Sequence, residues 1–346
     1  MKMNEKLTQF IKLLKKEKAQ AFCVLENASI RYLTDFFFYS PSDAFLLITQ
    51  NKVYCFTKKM YFADLKRKAP YLTLVESLDI NDVCKKAAKF KNKFFDPTLA
   101  PYIEGTALAK AGFKTLPYLL EKAQEVKASN ELKFISKACH ISTMAFDIFK
   151  KQLKAGMTEK EGAALLESIM QDLGGEGLAF DTILAFGANT ANPHHHNSDR
   201  KLKQNEPVLV DFGCKYKGYC SDITRTWWFG SKVSEEWQKL FDLVKDTHDY
   251  AATLAQNNIC AATLDIAARD FMDKAGISSK DFIHSLGHGL GLKIHQKPFL
   301  SSKSQDIIKT NSVFTIEPGL YYDGKFGIRY EDTYILTPKG AKILTK

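Results

Sequence analysis

Two stretches in the C-terminal half read as β-hairpins with a pair of carboxylates set in otherwise apolar strands. No other feature restricts the fold as much. In PVLVDFGCKYKGYCSDITRTWW (residues 207–228), strand-like runs over 208–214 and 219–228 flank a turn at Tyr216-Lys217-Gly218. A turn centred between Tyr216 and Lys217 sets Asp211 opposite Asp222, and a bulge at Gly218 would shift that register by one residue. In SVFTIEPGLYYDGKFGIRYEDTYILT (residues 312–337), Asp323-Gly324 is a strong turn signal, and Glu317 and Glu331 are equidistant from Gly324. Pro318-Gly319 breaks the first strand just after Glu317. Opposed residues in such hairpins have Cβ atoms about 4.5–5.5 Å apart. Carboxylates that close repel in an apolar interior unless a positive charge sits between them.

Between the hairpins in sequence lies FIHSLGHGLGLKIHQKP (residues 282–298), in which His288 stands between Gly287 and Gly289, with Gly291 following. Glycines there let the backbone come close to a crowded centre and permit dihedrals that other residues avoid. They also disfavour a helix, which argues against His284 and His288 as a metal pair one turn apart. His288 is therefore the expected ligand, and His284 a packed residue or one behind the ligands. Four carboxylates and one imidazole suit two divalent cations roughly 3.5–4 Å apart. The oxygen-rich set favours Mn²⁺, with Co²⁺ or Zn²⁺ as alternatives.

Length and composition set this centre in an ordinary globular chain. The 346 residues suffice for two domains, and 45% hydrophobic with 25% charged residues is typical of globular proteins. No run approaches the 18 or so apolar residues of a membrane span, so no membrane partner is expected. The N-terminal segment has no apolar core or cleavage site of a secretory leader. Instead Leu7, Phe10, Ile11 and Leu14 fall at helical spacing. Seven cysteines without a C-x-x-C pair favour free thiols and a cytoplasmic location. The net charge of +10 comes from lysines spread along the chain, which reads as a solvated surface rather than a nucleic-acid patch.

Residues 1–124 alternate strand-like runs (AFCVL, AFLLIT, KVYCFT) with basic helical pieces such as MYFADLKRKAP, a small α/β domain. Residues 125–346 have another texture. Ser129 is the expected N-cap of a long helix closed by Gly156, with Glu131 in its first turn. Thr158 and Glu161 have capping-box spacing for a second helix that stops at Gly174-Gly175. Further helices are expected over 231–256 and 260–275.

These residues resemble the metallopeptidases of the "pita-bread" fold: methionine aminopeptidases, aminopeptidase P and prolidase. The likeness covers about residues 125–346 and rests on D-F-G, S-D-I-T-R-T, G-H-G-L-G-L-K-I-H, T-I-E-P-G-L-Y and R-Y-E-D. It implies an α/β N-terminal domain (1–124) followed by an α+β pita-bread, creatinase/aminopeptidase-like catalytic domain (125–346). The family's ligand order falls on Asp211, Asp222, His288, Glu317 and Glu331. The resemblance also implies roles for His194 in NPHHHNSD and for His295, which would donate hydrogen bonds to the peptide carbonyl and the tetrahedral oxyanion. Glu317 would shuttle the proton, and Arg329 matches an arginine that braces the site in proline-specific members. His195 and His196 have no counterpart in the pattern. Where the family often has H-E-x-P, this chain has His295-Gln296-Lys297-Pro298, with Gln296 replacing an acid. Asp211 and Glu331 are expected to bridge the two cations, Asp222 to hold one, and His288 with Glu317 to hold the other.

The N-terminal domain, with its IRYLTDF and MYFADL segments, resembles those of aminopeptidase P and prolidase. That implies a peptide substrate with proline in second position, cleaved after its first residue, and a homodimer. Whether the enzyme takes dipeptides or longer peptides stays open. A methionine aminopeptidase with an added domain and a non-catalytic peptide- or protein-binding relative are the alternatives. The presence of all five ligand residues argues against the second, as it does against a metal-free creatinase-like hydrolase.

Overall fold

A computed structural model describes residues 3–40 and 43–346. The chain forms two compact units that divide between Gln124 and Glu125.

The first unit contains α1 (Glu5–Lys16), β1 (Ala21–Val24), α2 (Asn27–Thr34), β2 (Ala44–Thr49), β3 (Val53–Thr57), α3 (Phe62–Lys68), β4 (Leu72–Glu76), α4 (Ile80–Ala87), β5 (Lys93–Phe95), α5 (Tyr102–Lys110), β6 (Lys114–Thr115) and α6 (Leu119–Gln124). Its strands make one mixed sheet in the order β4-β3-β2-β1-β5-β6. The side chain of Asn4 accepts from the Leu7 amide and caps α1. The apolar stripe Leu7, Phe10, Ile11 and Leu14 is buried, as its spacing predicts. Each such side chain contributes roughly 1.5–3 kcal/mol when fully removed from water.

The second unit contains two helix pairs, each laid on its own sheet. The first half comprises α7 (Ser129–Gln152), α8 (Glu159–Asp172), β7 (Ile183–Phe186), β8 (Glu206–Phe212), β9 (Lys215–Tyr216), β10 (Tyr219–Cys220) and β11 (Ile223–Phe229). Ile141, Ala145 and Phe149 of α7 and Leu166 and Met170 of α8 pack on Leu184, Val208, Val210 and Phe212 of the sheet β11-β8-β7. The second half comprises α9 (Glu235–Leu254), β12 (Ile259–Cys260), α10 (Ala261–Lys274), β13 (Gly287–Gly289), β14 (Gln296–Leu300), β15 (Ile307–Ile308), β16 (Val313–Ile316), β17 (Gly319–Tyr322), β18 (Phe326–Arg329), β19 (Asp332–Thr337) and β20 (Gly340–Ile343). There Trp237 and Val244 of α9 and Leu264, Ala268 and Met272 of α10 cover Phe314, Ile316, Tyr334 and Leu336 of the sheet β14-β13-β16-β19-β20.

Local signals are met with small shifts. Thr158 and Glu161 form the expected capping box of α8. The N-cap of α7 is Ala128 rather than Ser129, because the Glu131 carboxylate reaches back to accept from the Ala128 amide at 2.9 Å. The Leu132 amide, donating to the Ala128 carbonyl at 3.1 Å, closes the first helical turn from the same residue. Among the described residues no helix is long and apolar enough to cross a membrane, and all seven cysteines are free thiols.

Candidate metal centre

The carboxylates sit where the two hairpins lose their regular pairing. In the first hairpin Lys217 and Gly218 both have positive φ, 50° and 80°, the requirement of a tight two-residue turn that follows the strands' twist. The turn is thus centred one residue later than the sequence suggests. Asp211 faces Thr224, not Asp222. The register moves by two residues, so Asp222 stays on the same face as Asp211 but lies diagonal to it. Between them the ladder is interrupted: Ser221 Oγ accepts from the Cys214 amide, and a Cβ on Gly213 would collide with the Ser221 carbonyl.

The second hairpin keeps the expected register about Gly324, with Gly319 facing Arg329 and Ile316 facing Asp332. The two ladders β16–β19 and β17–β18 share it, and the gap between them falls at Glu317 and Glu331. At the gap each backbone amide turns elsewhere. Glu317 N donates to the Leu286 carbonyl at 2.8 Å, and Glu331 N donates to the Thr224 carbonyl at 3.2 Å. The second bond joins the two hairpins, and Thr226 with Arg329 adds two more contacts along the seam.

His288 enters from β13. The glycines beside it serve close approach rather than unusual dihedrals. A Cβ on Gly287 would meet the Thr315 carbonyl of β16, and one on Gly289 the Lys297 carbonyl of β14. So the strands on either side press against the backbone of residues 287–289, and the imidazole is held nearly buried at 8% exposure. Burial, with the neighbouring His295 adding to it, lowers its pKa to about 3, so the ring is neutral. Its Nδ1–H donates to the Gly289 carbonyl at 3.1 Å. The lone pair on Nε2 then points at Asp222 Oδ2 (3.5 Å) and Glu317 Oε1 (3.4 Å).

Acceptor facing acceptor at that distance is unfavourable unless a proton or cation lies between. Burial first, then repulsion from Glu331, Asp211 and Glu317, raises the Asp222 pKa far above the usual carboxylate range. Glu331 is raised for the same reasons, burial and then Glu317 and Asp211. Burial pushes Glu317 up to about 8 against the pull of Arg329. In addition, Asp211 Oδ1 is buried without a hydrogen-bond donor among the described residues. Ligand atoms of Asp222, His288 and Glu331 all lie within 4.8 Å of one another. This donor set fits divalent cations, which would replace the missing protons and occupy the orphaned oxygen.

Arg329 braces the cluster from behind. Nη2 donates to Asp211 Oδ2 at 2.6 Å, Nε to Thr224 Oγ1 at 3.1 Å, and Nη1 to the Tyr321 hydroxyl at 2.7 Å. Thr224 Oγ1 donates onward to Glu331 Oε2 at 2.7 Å. Tyr321 in turn donates to His284 Nε2 at 2.9 Å. Burial lowers the His284 pKa to about 3, so this ring is neutral as well, with Nδ1–H on the Ser285 carbonyl.

All eight sequence-predicted site residues line one cavity of about 640 Å³, together with His284, His195 and His196. His194 and His295 are exposed at its wall. The ring of His295 lies 4.4 Å from that of His288, edge to face. Desolvation lowers the His295 pKa against the pull of Asp211. Phe180, Ile183, Ile294 and Phe299 supply apolar wall. Gln296 is outside this lining; it is buried against Gly291.

Thr224, Thr315, Tyr321 and Glu159 also shape the site. Thr224 and Thr315 each stand two residues from a ligand in an extended run, hence on the same face. That periodicity is a readable signal. Tyr321 lies diagonal to Arg329 across the β17–β18 hairpin, a second readable signal, whereas the partners of Glu159 are remote in sequence.

Residues 133–338 match metallopeptidase family M24, and residues 6–134 match the creatinase/prolidase N-terminal domain. The chain belongs to family M24 and has its pita-bread fold. It is 31% identical to a Xaa-Pro dipeptidase of Pyrococcus horikoshii, over 99% of this chain and 97% of that one. Among solved structures it is similar to a Xaa-Pro dipeptidase from Bacillus anthracis, with a TM-score of 0.92, 28% identity and coverage of 99% and 97% of the two chains. An X-Pro aminopeptidase from Thermotoga maritima gives a TM-score of 0.87, 32% identity and 97% coverage of each.

Proposed function

We propose that this chain is a metallo-exopeptidase holding two divalent cations, most favourably Mn²⁺, that hydrolyses the bond between an N-terminal residue and a following proline. The observation that carries the reading is the neutral Nε2 of His288 set 3.4–3.5 Å from the carboxylates of Asp222 and Glu317, acceptor against acceptor. Names of relatives, two Xaa-Pro dipeptidases and an X-Pro aminopeptidase, supply the proline preference.

Asp211, Asp222, His288, Glu317 and Glu331 would hold the cations. When bound, the cations neutralise the carboxylates and make a water nucleophilic near neutral pH. Glu317, whose carboxylate faces the cavity beside His288, would accept a proton and pass it to the departing proline nitrogen. His194 and His295, exposed at the cavity wall, would donate to the carbonyl oxygen as it gains charge. Arg329 holds Asp211 and, through Thr224, Glu331 in place. Free thiols throughout support a cytoplasmic location, and the resemblance supports a homodimer.

One panel tests this: Xaa-Pro dipeptides, Xaa-Pro-Yaa tripeptides and Met-Ala peptides, with enzyme as isolated, chelated, and restored with Mn²⁺. The expected result is metal-dependent cleavage of the proline peptides and little of Met-Ala. Equal turnover after chelation would overturn the metal mechanism. Preference for Met-Ala would establish the methionine aminopeptidase alternative.

A further inference from the structure

The three consecutive histidines after Pro193 have different surroundings. His194 and His196 are exposed at the cavity, whereas His195 is half-buried and its Nε2 lies 2.7 Å from Glu159 Oε2. Glu159 is the first residue of α8 and is fully buried. Both of its carboxylate oxygens are occupied by one segment of chain. Oε1 accepts from the Phe186 amide and Asn189 Nδ2, both at 2.9 Å. Oε2 accepts from the Ser198 amide at 2.9 Å and the Ser198 hydroxyl at 2.6 Å as well as from His195. Burial alone would raise the Glu159 pKa, but these donors outweigh it and hold the carboxyl below its usual range. The group is ionised, so His195 Nε2 carries the proton and donates it. Asn197 pins the same segment to β7, accepting from Leu184 N at 2.8 Å and donating to the Thr182 carbonyl at 2.7 Å.

We infer that Glu159 and His195 are positioning residues for His194. Pro193 and His194 form a turn closed by the His195 amide, which donates to the Asn192 carbonyl at 3.2 Å. Tying the His195 imidazole to Glu159 therefore anchors the residue that closes this turn, and with it the setting of His194 at the corner. The loop has no regular strand of its own over residues 192–198, so this buried carboxylate substitutes for a ladder. The inference rests on the role proposed for His194.

The test compares His195→Ala, His195→Gln, His194→Ala and the His194→Ala/His195→Ala double variant. Each is followed by kcat, KM, bound metal and amide hydrogen exchange, with a Xaa-Pro-Yaa peptide as substrate. A misplacement of about 1 Å costs on the order of 10²-fold, so His195→Ala should lower kcat by ~10- to 100-fold. KM and bound metal should stay at wild-type levels. Faster exchange should be confined to residues 187–198. His195→Gln, which keeps an N–H near the position of Nε2, should recover most of the loss. In the His194→Ala background, His195→Ala should cost nothing further. The inference is overturned if His195→Ala has wild-type kcat, if its loss is undiminished in the His194→Ala background, or if exchange rises throughout the unit. Should the wild type cleave no Xaa-Pro peptide, the proposed function falls. Unchanged exchange at 187–198 in His195→Ala would then overturn the positioning role of His195 and Glu159 on its own.

Discussion

The ligand cluster and the histidines at the wall of the same cavity are built in opposite ways. Asp211, His288 and the segments bearing Asp222, Glu317 and Glu331 belong to strands or to the gaps between them, and their backbones are locked by neighbouring strands on both sides. His194 and His295 stand on loops. The strand-borne groups are mutually repulsive acceptors packed out of water, stable together only around positive charge. The loop-borne groups are exposed donors. A strand gap frees a backbone amide to tie hairpin to hairpin, so the carboxylates are placed by the scaffold. A loop must be held by side chains. Damage to the first kind of group should therefore cost metal and stability together, and damage to the second should cost turnover alone.

The most severe break is Asp222→Ala. It removes the carboxylate that faces both His288 and the remaining acids, and it should abolish turnover and lower bound metal, read by kcat and elemental analysis. Chelation of the wild type should reproduce it. Full activity in either case would mean that the cluster is not the reactive centre. Next come His194→Ala and His295→Ala. Loss of one donor to a developing oxyanion costs on the order of 10²–10³ in kcat, with metal content here unchanged. Lost metal in His295→Ala would move that residue to the strand-borne group. Smaller still, Gly287→Ala drives a Cβ into the Thr315 carbonyl and should cost about 1–3 kcal/mol by denaturant unfolding, with weaker metal retention. A stability equal to wild type would show that the strands around His288 can part freely.

The gentlest probe sharpens the loop side. The Glu159 pKa is lowered in the fold, so its contribution is complete above the ordinary glutamate value of about 4.3 and is lost as pH falls through the depressed value. Thermal unfolding between pH 6 and 3 should show the wild type losing Tm on the acid side more steeply than Glu159→Gln. Parallel curves would show that the carboxylate is not held ionised by the loop.

Much of this architecture is legible in the order of residues alone. The stripe of α1, the capping box of α8, the turn at Asp323-Gly324 and the register about it follow from contacts within a few residues, where side-chain chemistry and backbone geometry are directly linked. The first hairpin differs from its sequence reading by one turn position. Lys217 and Gly218 both accept positive φ, and the sequence does not say which pair of residues closes the turn. The difference keeps both aspartates on one face, since a shift of two leaves the pleat unchanged. The glycines around His288 signal crowding in the sequence, but not their actual neighbours, the carbonyls of Thr315 and Lys297. His195 and Glu159, 36 residues apart, give no local sign of their bond.

By itself the sequence determined which residues could serve as ligands, where the strands turn and which faces are apolar, because each of these is encoded within one or two turns of chain. Only the tertiary structure decided which oxygen meets which nitrogen, that Asp222 reaches His288, and that a triple histidine divides into one anchor and two exposed rings. Those outcomes depend on distances between segments scores of residues apart, set by how two helix-covered sheets close on each other, and no local propensity specifies them.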